Sequence, residues 1–186
     1  VDLSGAYCKP GDKVLVSGTL GDHGITIMSC REELSFTADI ATDAAPLNHL
    51  IQKVIAAAPH TRCFRDPTRG GIASTLHELA DQSGVDFVIE EEAVPVKDAV
   101  RGACEMLGYD VYQVANEGKM VCVVPADEAQ AALEAMQSTK YGVDAAIIGE
   151  VGQKPEERDP RVSLRTSFGS MRIMDMLVGE QLPRIC

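Results

Sequence analysis

The chain has 186 residues and a formal net charge of −11 at pH 7. Such an acidic surface repels a phosphate backbone, and aromatic residues make up only 4% of the chain with no tryptophan, so nucleic-acid binding is not expected. No apolar run approaches the ~18 residues that a membrane-spanning helix needs, and the first residues lack the basic and apolar segments of a signal peptide. The sequence therefore predicts a cytoplasmic protein, with a length that suits one domain.

Hydrophobic periodicity in the first half predicts strands that alternate with helices. In chain order, the pattern predicts a strand at 13–18, a helix that follows the glycine-rich turn 18–24 and reaches Leu34, helices within 45–60 and 66–84, and a strand at 85–91. Pro46 suits the first turn of the second helix, and Pro59 ends it. Gly84 is a typical C-cap for the third helix.

The second half predicts one helix and then a cluster of strands. The predicted elements are a helix within 94–108, strands at 109–114 and 119–124 around the turn 115–118, a helix within 126–139, and strands at 144–151, 161–166 and 170–176. Because strands and helices alternate early while strands cluster late, we predict an α/β (α+β) fold in which helices cover a mixed sheet. Neither G-x-G-x-x-G nor a P-loop occurs, so both standard nucleotide motifs are missing.

Six cysteines leave two interpretations open. An even number permits a disulfide framework, whereas buried free thiols would fit a reducing cytoplasm. Neighbouring cysteines are at least 18 residues apart (Cys104 to Cys122), so no Cys-x-x-Cys pair marks a zinc or redox site. Because Cys104 and Cys122 lie in apolar runs typical of a core, we favour free thiols.

The stretch "DPTRGGIAS" (66–74) is a candidate anion site. Gly70 and Gly71 stand at the start of a helix, where unpaired N–H groups and the helix dipole attract negative charge, and the missing β-carbons would allow close approach. Asp66 and Arg69 flank these glycines, and Arg69 would add positive charge. A tight loop that enters a packed helix is an equally good interpretation.

Two further turns carry polar residues. His23 in "GTLGDHGI" can donate or accept a hydrogen bond, although a lone loop histidine is more often a surface residue. Asn116 and Glu117 in "VANEGKM" suit a hairpin corner with Glu117 as its solvated tip. A turn between buried strands can also hold a carboxylate rigidly, as a base requires. We expect all three turns to meet at one concave site.

The chain ends in "LPRIC", which places a thiol on its last residue. Pro183 disfavours a helix and keeps this end extended. The residues 177–186 could span up to ~33 Å. Arg184 would stabilise a thiolate at Cys186, while the terminal carboxylate opposes it. The thiol is therefore accessible, and its reactivity stays open.

Taken together, "GTLGDHG", "DPTRGGIA", "PVKDAVRGACEMLG", "ANEGKM", "AAIIGEV" and a terminal "PRIC" resemble the C-terminal half of the HypE family of hydrogenase maturation proteins. The resemblance covers nearly the whole chain, in order. That family belongs to the superfamily of aminoimidazole ribonucleotide (AIR) synthetase (PurM), selenophosphate synthetase and thiamine-monophosphate kinase. It implies an AIR synthase (PurM) C-terminal-domain-like fold over 1–176 and an extended tail over 177–186.

The resemblance also implies an activity. A HypF carbamoyltransferase places a carbamoyl group on the sulfur of Cys186, ATP-dependent dehydration converts it to a thiocyanate, and the cyanide passes to the HypC–HypD complex for a NiFe hydrogenase. The implied catalytic residues are Cys186, Glu117 as base, and Asn116. The implied cofactor-binding residues are Asp66, Arg69, Gly70, Gly71 and His23, and no metal ligand is implied.

The chain begins at valine, about where the ATP-binding domain of that family would end. We therefore expect an isolated C-terminal domain that is inactive alone, with ATP and Mg²⁺ bound mainly by the absent domain, which would also form a homodimer. Two alternatives remain: another superfamily member that phosphorylates a small molecule, and a non-catalytic docking domain that presents its tail. The terminal Cys186 disfavours the first of these.

Overall fold

The computed structural model describes residues 2–31 and 41–176. The helices are α1 (Asp22–Arg31), α2 (Asn48–Ala57), α3 (Gly71–Ser83), α4 (Asp98–Leu107) and α5 (Ala129–Gln137). The strands are β1 (Lys13–Val16), β2 (Cys63–Arg65), β3 (Phe87–Glu90), β4 (Val121–Val124), β5 (Ala146–Val151), β6 (Val162–Arg165) and β7 (Met171–Ile173). None of the helices in these ranges is long and apolar enough to cross a lipid bilayer.

The seven strands form one mixed sheet in the order β2-β4-β1-β5-β3-β6-β7. Strand pairs are antiparallel except β3 and β6, which run parallel. Because side chains alternate between the two faces of a strand, Val14 and Val16 of β1 pack into one hydrophobic cluster and Leu15 into another. The predicted α/β (α+β) fold with a mixed sheet is confirmed.

Helices cover both faces of this sheet. Ile25 of α1, Ile72 of α3 and Val100 of α4 belong to the cluster that contains Val16. Leu50 of α2 and Met136 of α5 belong to the cluster that contains Leu15. The central strands are consequently buried on both sides, which gives the loops at their ends a fixed base.

The prediction of a strand at 109–114 is wrong. Residues Val111–Gln113 form a 3₁₀ turn, in which the Asp110 carboxylate accepts a hydrogen bond from the N–H of Tyr112 at 3.0 Å. Consecutive residues Val111 and Tyr112 are both buried, because this turn packs on α3 and not in the sheet. The turn 115–118 is therefore not a hairpin corner, since β4 pairs with β1 and β2 instead.

One other part of the fold differs from expectation, and one predicted part lies outside the described residues. The edge strand β2 was not predicted, because three residues give too short a pattern to register. Leu34 lies outside the described residues, so the predicted extension of α1 through it stays a prediction. The predicted helix ends at Gly84 and Gly108 are confirmed, with both glycines in the left-handed conformation.

The cysteines among the described residues are free thiols. Cys104 and Cys122 are buried in the core as predicted, and burial raises the pKa of Cys104 to about 11. The sulfurs of Cys8 and Cys63 approach to 3.9 Å without a covalent bond. Cys186 lies outside the described residues. The interpretation as free thiols is confirmed for the five that are described.

Gly71 and Gly84 provide a matched pair for stability measurements, since both have positive φ. A β-carbon on Gly71 would lie 2.4 Å from the carbonyl oxygen of Tyr112 and 2.7 Å from that of Val114, whereas one on Gly84 meets nothing within 4 Å. We expect Gly84→Ala to lower the free energy of unfolding by about 1 kcal/mol and Gly71→Ala by about 2–4 kcal/mol. Urea denaturation checks this, and equal losses would contradict the close contact.

Candidate functional site

Asn116 joins the three glycine-containing turns. Its side chain is only 1% exposed, and its amide nitrogen donates hydrogen bonds to the carbonyl oxygens of Pro67 and Val114, both at 3.0 Å. Its amide oxygen accepts a hydrogen bond from the N–H of Gly21 at 2.8 Å. Every polar group of this buried amide therefore points at backbone, which makes Asn116 a connector between turns.

Backbone contacts reinforce this junction. The N–H of Gly24 donates to the carbonyl oxygen of Ala115 at 3.1 Å, and the N–H of Asn116 donates to that of Pro67 at 3.2 Å. A β-carbon on Gly24 would lie 2.4 Å from the Val114 side chain. The expectation that the three turns meet is confirmed, because each contacts the segment 114–116 directly.

We expect Asn116→Ala to lower the free energy of unfolding by about 2–4 kcal/mol, because buried backbone groups at Gly21 and Val114 lose their partners. Asn116→Asp keeps the acceptor for Gly21 but turns the donor into an oxygen that faces two carbonyl oxygens, so it should be at least as destabilising. Chemical denaturation measures both variants. Exposed Gln130→Ala is the control, and an Asn116→Asp variant as stable as that control would contradict the assigned contacts.

Asp43 fixes the turn that carries Glu117. One oxygen of its carboxylate accepts the N–H groups of Glu117 at 3.1 Å and Gly118 at 3.4 Å, and the other lies 3.3 Å from the Lys119 ammonium. The Asp43 side chain is 2% exposed. Glu117 is half-buried, and its backbone is thereby fixed on one side by Asp43 and on the other by Asn116.

The local sequence gave no indication of Asp43. Its stretch "ATDAAPL" contains no motif, and the contact with Glu117 spans 74 residues of chain. The close fit is visible at Gly118, where a β-carbon would lie 1.7 Å from the carbonyl oxygen of Asp43. Gly118 is therefore required for the approach of segment 41–45 to the turn.

A cavity of about 250 Å³ adjoins this turn. Its lining includes Asp22, Asp43, Lys97 and Lys119, so it is polar and carries both signs of charge. The Lys97 ammonium lies 3.1 Å from one carboxylate oxygen of Asp22, and the other oxygen is buried with no hydrogen-bond partner among the described residues. The segment 18–24, whose last three residues begin α1, and the turn 115–118 both line this cavity. No residue of 66–74 lines it, so the expectation of one concave site is confirmed for two of the three turns only.

The remaining polar residues predicted from the sequence lie around this junction. His23 is half-buried, and its Nδ1 lies 2.9 Å from the hydroxyl of Thr42. Asp66 is exposed and accepts a hydrogen bond from the Thr68 hydroxyl at 3.3 Å. Arg69 is exposed. Their assignment to a cofactor stays a prediction.

Gly70 and Gly71 begin α3 as predicted, with Gly70 as its N-cap. The space beside Gly71 is filled by the carbonyl oxygens of Tyr112 and Val114, and its N–H donates to Thr68 at 3.2 Å. Close packing against these two carbonyl oxygens therefore explains why residue 71 is a glycine, without a bound anion. Cys186 lies outside the described residues, so no distance relates its sulfur to Glu117.

Metal chemistry has no preformed centre in the described ranges. Within 2–31 and 41–176, no three His, Cys, Asp or Glu side chains are arranged to hold a metal ion. Two of the acidic side chains that line the cavity, Asp22 and Asp43, each face a lysine. What this arrangement offers is a turn next to a polar cavity, in which the backbone of Glu117 is held by buried contacts.

Comparison with known proteins shows which family this chain is similar to. A family model described as AIR synthase related protein, C-terminal domain, matches residues 9–159. The carbamoyl dehydratase HypE of Azotobacter vinelandii is 51% identical over 184 residues, which cover 99% of this chain and 53% of that protein. The chain therefore spans about half the length of the curated relatives that it matches.

Two solved structures are similar over nearly the whole chain. A crystal structure of the hydrogenase maturation protein HypE in complex with ATP has a TM-score of 0.93 and 44% identity, covering 99% of this chain and 55% of the other. A crystal structure of a HypE–HypF complex has a TM-score of 0.89 and 48% identity, covering 95% and 56%.

The predicted AIR synthase (PurM) C-terminal-domain-like fold and the resemblance to HypE are both confirmed by these similarities. The family match begins before β1 and extends past β5, so it includes the turns that meet at Asn116. The chain belongs to the family of AIR synthase related proteins, and corresponds to their C-terminal domain.

Proposed function

We propose that this chain is the C-terminal part of an ATP-dependent carbamoyl dehydratase of hydrogenase maturation, in which Cys186 carries the carbamoyl group. The observation that carries the proposal is the turn of Glu117, which Asp43 and Asn116 hold at the junction of three loops. Similarity to the carbamoyl dehydratase HypE of Azotobacter vinelandii supports the reaction type.

The reaction converts a thiocarboxamide on sulfur into a thiocyanate and removes one oxygen and two protons. An amide oxygen is a poor leaving group. When bound, ATP supplies the phosphoryl group that makes this oxygen a good one. The two N–H protons must then leave one after the other, and the phosphorylated oxygen departs as phosphate as the C≡N triple bond forms. A carboxylate beside the carbamoylated sulfur can accept each proton in turn and pass it to solvent.

Glu117 is the base in this proposal. Its turn is immobilised by buried contacts, so the carboxylate needs little reorganisation when the substrate arrives. Asn116 acts through the turn and not on the substrate, since its side chain is fully used by Gly21, Pro67 and Val114. Asn116 is therefore a positioning residue in this mechanism.

We assign the nucleotide only in part to this chain. Asp66, Arg69 and His23 lie at exposed or half-buried places around the junction and could approach a phosphate. Lys97 and Lys119 line the neighbouring cavity, but each is paired with an aspartate. Most ATP and Mg²⁺ contacts are therefore assigned to residues beyond this chain, in keeping with a chain that spans about half of its relatives.

The proposed partners follow from the same reaction. A HypF carbamoyltransferase loads Cys186, and similarity to the chain in a HypE–HypF complex supports this partner. A HypC–HypD complex accepts the cyanide, and the full-length protein forms a homodimer. We place the reaction in the cytoplasm, where reducing conditions keep the described cysteines as free thiols.

Intact-protein mass spectrometry tests the function. The full-length protein is incubated with HypF and carbamoyl phosphate, and then with ATP. We expect Cys186 to gain the mass of one carbamoyl group and then to lose one water when ATP is added. A carbamoyl adduct that stays unchanged with ATP would refute the dehydratase assignment and favour a docking domain.

The 186-residue chain alone should neither hydrolyse ATP nor bind it tightly, because two of the lysines that line the cavity, Lys97 and Lys119, are paired with aspartates. Isothermal titration calorimetry with MgATP measures the affinity, and the full-length protein is the positive control. A dissociation constant in the micromolar range for this chain would contradict the assignment of the nucleotide to residues beyond it.

A further inference from the structure

A pair of thiols lies outside the candidate site. The sulfurs of Cys8 and Cys63 are 3.9 Å apart, and the two residues are only 4% and 3% exposed. Cys8 follows the 3₁₀ turn Gly5–Tyr7, and Cys63 begins β2, which is an edge strand of the sheet. The contact spans 55 residues of chain, so the fold alone brings the two sulfurs together.

The residue before Cys63 fixes this contact from both sides. The carbonyl oxygen of Arg62 accepts a hydrogen bond from the N–H of Ser4 at 2.9 Å. Its guanidinium donates to both carboxylate oxygens of Asp12, at 2.9 and 3.2 Å, and the Asp12 side chain is 5% exposed. Cys8 stands midway between Ser4 and Asp12 in the chain, so the segment that carries it is held against β2 at both ends.

We propose that Cys8 and Cys63 are an oxidation site, at which a peroxide converts the two thiols into one reversible disulfide that joins the segment 4–12 covalently to β2. The inference does not depend on the proposed function. An S–S bond is about 2.05 Å long, so each sulfur has to move by about 1 Å, which rotation about its Cα–Cβ bond can supply. A buried thiol without a neighbouring sulfur has no such reaction open to it and stays inert.

Cys63 is the first nucleophile of the pair. A hydrogen bond from the Cys8 thiol lowers the pKa of Cys63, and the positive charge of Arg65 lowers it further, whereas burial opposes both effects. The same hydrogen bond, together with burial, raises the pKa of Cys8. The thiolate, which is the reactive form, therefore resides on Cys63, and the Cys8 thiol supplies the proton that stabilises it.

The reaction takes two steps. The Cys63 thiolate attacks one oxygen of the peroxide, so that an S–O bond forms, the O–O bond breaks, and the other oxygen leaves as hydroxide and is protonated to water. The Cys8 sulfur then attacks the sulfenic acid on Cys63. The S–S bond forms, the S–O bond breaks, and the oxygen leaves as a second water with the proton of the Cys8 thiol. Two thiols have lost two electrons, and one peroxide has gained them.

A cavity of about 320 Å³ gives a small oxidant a route towards the pair. Its lining includes Tyr7, Lys9 and Arg62, which are chain neighbours of the two cysteines. Neither cysteine lines the cavity itself, so we expect oxidation to be slower than at the exposed Cys30. Hydrogen peroxide is far smaller than a glutathione disulfide, which makes a peroxide the class of oxidant that fits.

Thiol labelling of peroxide-treated protein tests the site. The full-length protein carries Cys30→Ser and Cys186→Ser, which remove an exposed thiol and the terminal thiol. It is treated with hydrogen peroxide, denatured, labelled with a maleimide and digested without reduction. We expect Cys8 and Cys63 to lose their labels together, a peptide that links them to appear, and dithiothreitol to restore both labels. Cys104 is the internal control, because it is 4% exposed like Cys8 but lies on α4.

Thermal unfolding gives a second measurement. A cross-link that spans 55 residues restricts the unfolded chain. It should therefore raise the thermal midpoint of this domain by roughly 5–15 °C after peroxide treatment, as calorimetry measures. The rise should be absent in Cys8→Ser, which keeps Cys63 but removes its partner. Cys63→Ser serves the same purpose should the first variant fail to fold.

Two results would overturn the inference. One is full labelling of Cys8 and Cys63 at a peroxide dose that oxidises Cys30 in the wild-type protein. The other is loss of label at Cys104 at the same rate, which would mean that the peroxide reaches buried thiols without selection. A linked peptide with no rise in the midpoint would contradict a pair prepared by the fold. None of these results depends on whether the protein dehydrates a carbamoyl group.

Discussion

Glu117→Gln should leave carbamoyl loading of Cys186 intact and slow the ATP-dependent loss of water by ~10²–10⁴-fold. The substitution keeps the size of the side chain and removes its basicity. The contacts that fix the turn run through the backbone N–H groups of Glu117 and Gly118 to Asp43, so they remain in the variant. Mass spectrometry of the carbamoylated protein over time after ATP addition gives the rate.

The control for this variant is Glu105→Gln, which neutralises an exposed carboxylate on α4. The loading rate and the thermal midpoint of both variants should match those of the wild-type protein. A slowing of dehydration by less than about tenfold in Glu117→Gln would assign Glu117 to the turn and not to the chemistry. Loss of loading together with dehydration would indicate a disturbed docking surface instead.

The sequence was sufficient for elements whose signal is local. The ends of α3 and α4 follow from Gly84 and Gly108, because a left-handed residue after a helix is strongly favoured as glycine. The central strands β1 and β4 follow from continuous apolar runs, since helices cover both faces of the sheet and leave no polar side.

Tertiary packing decided the elements that were predicted wrongly. The apolar residues of 109–114 look like a strand, yet Val111 and Tyr112 are buried on consecutive positions by α3, and the Asp110 side chain caps a 3₁₀ turn there. That turn carries Gln113, which holds the segment before the tail. A pattern of period two cannot distinguish these environments.

The sequence indicated the turns that form the candidate site, but not the contacts that connect them. Glycine-containing turns pointed to Asn116 and Glu117, and their meeting was expected from their polar character. The buried position of Asn116 and its three backbone partners were not, because they depend on segments 49 and 95 residues away. Asp43 was missed for the same reason, as nothing local marks a residue whose role lies in a distant turn.

Replacement of Cys186 by serine should abolish cyanide delivery completely while stability is unchanged. Serine would form an O-carbamate, which has no sulfur to carry the thiocarboxamide or the thiocyanate. A structural cysteine would behave differently, since its replacement typically costs ~1 kcal/mol of unfolding free energy. Hydrogenase maturation in cells and urea denaturation of the purified protein measure the two effects, with exposed Cys30→Ser as the matched control.

The position of this thiol at the very end of the chain has its own test. In the proposed reaction, the tail has to place Cys186 beside Glu117 and also offer it to a HypF carbamoyltransferase and to an acceptor complex, so each site would have to admit the sulfur together with the terminal carboxylate. One alanine added after Cys186 keeps the thiol and moves the carboxylate by one residue, ~3.3–3.6 Å. We expect loading and cyanide transfer both to fall, whereas one alanine inserted between Leu177 and Val178 lengthens the tail equally and should be tolerated. Full maturation activity with the terminal alanine would mean that the thiol is required but its terminal position is not.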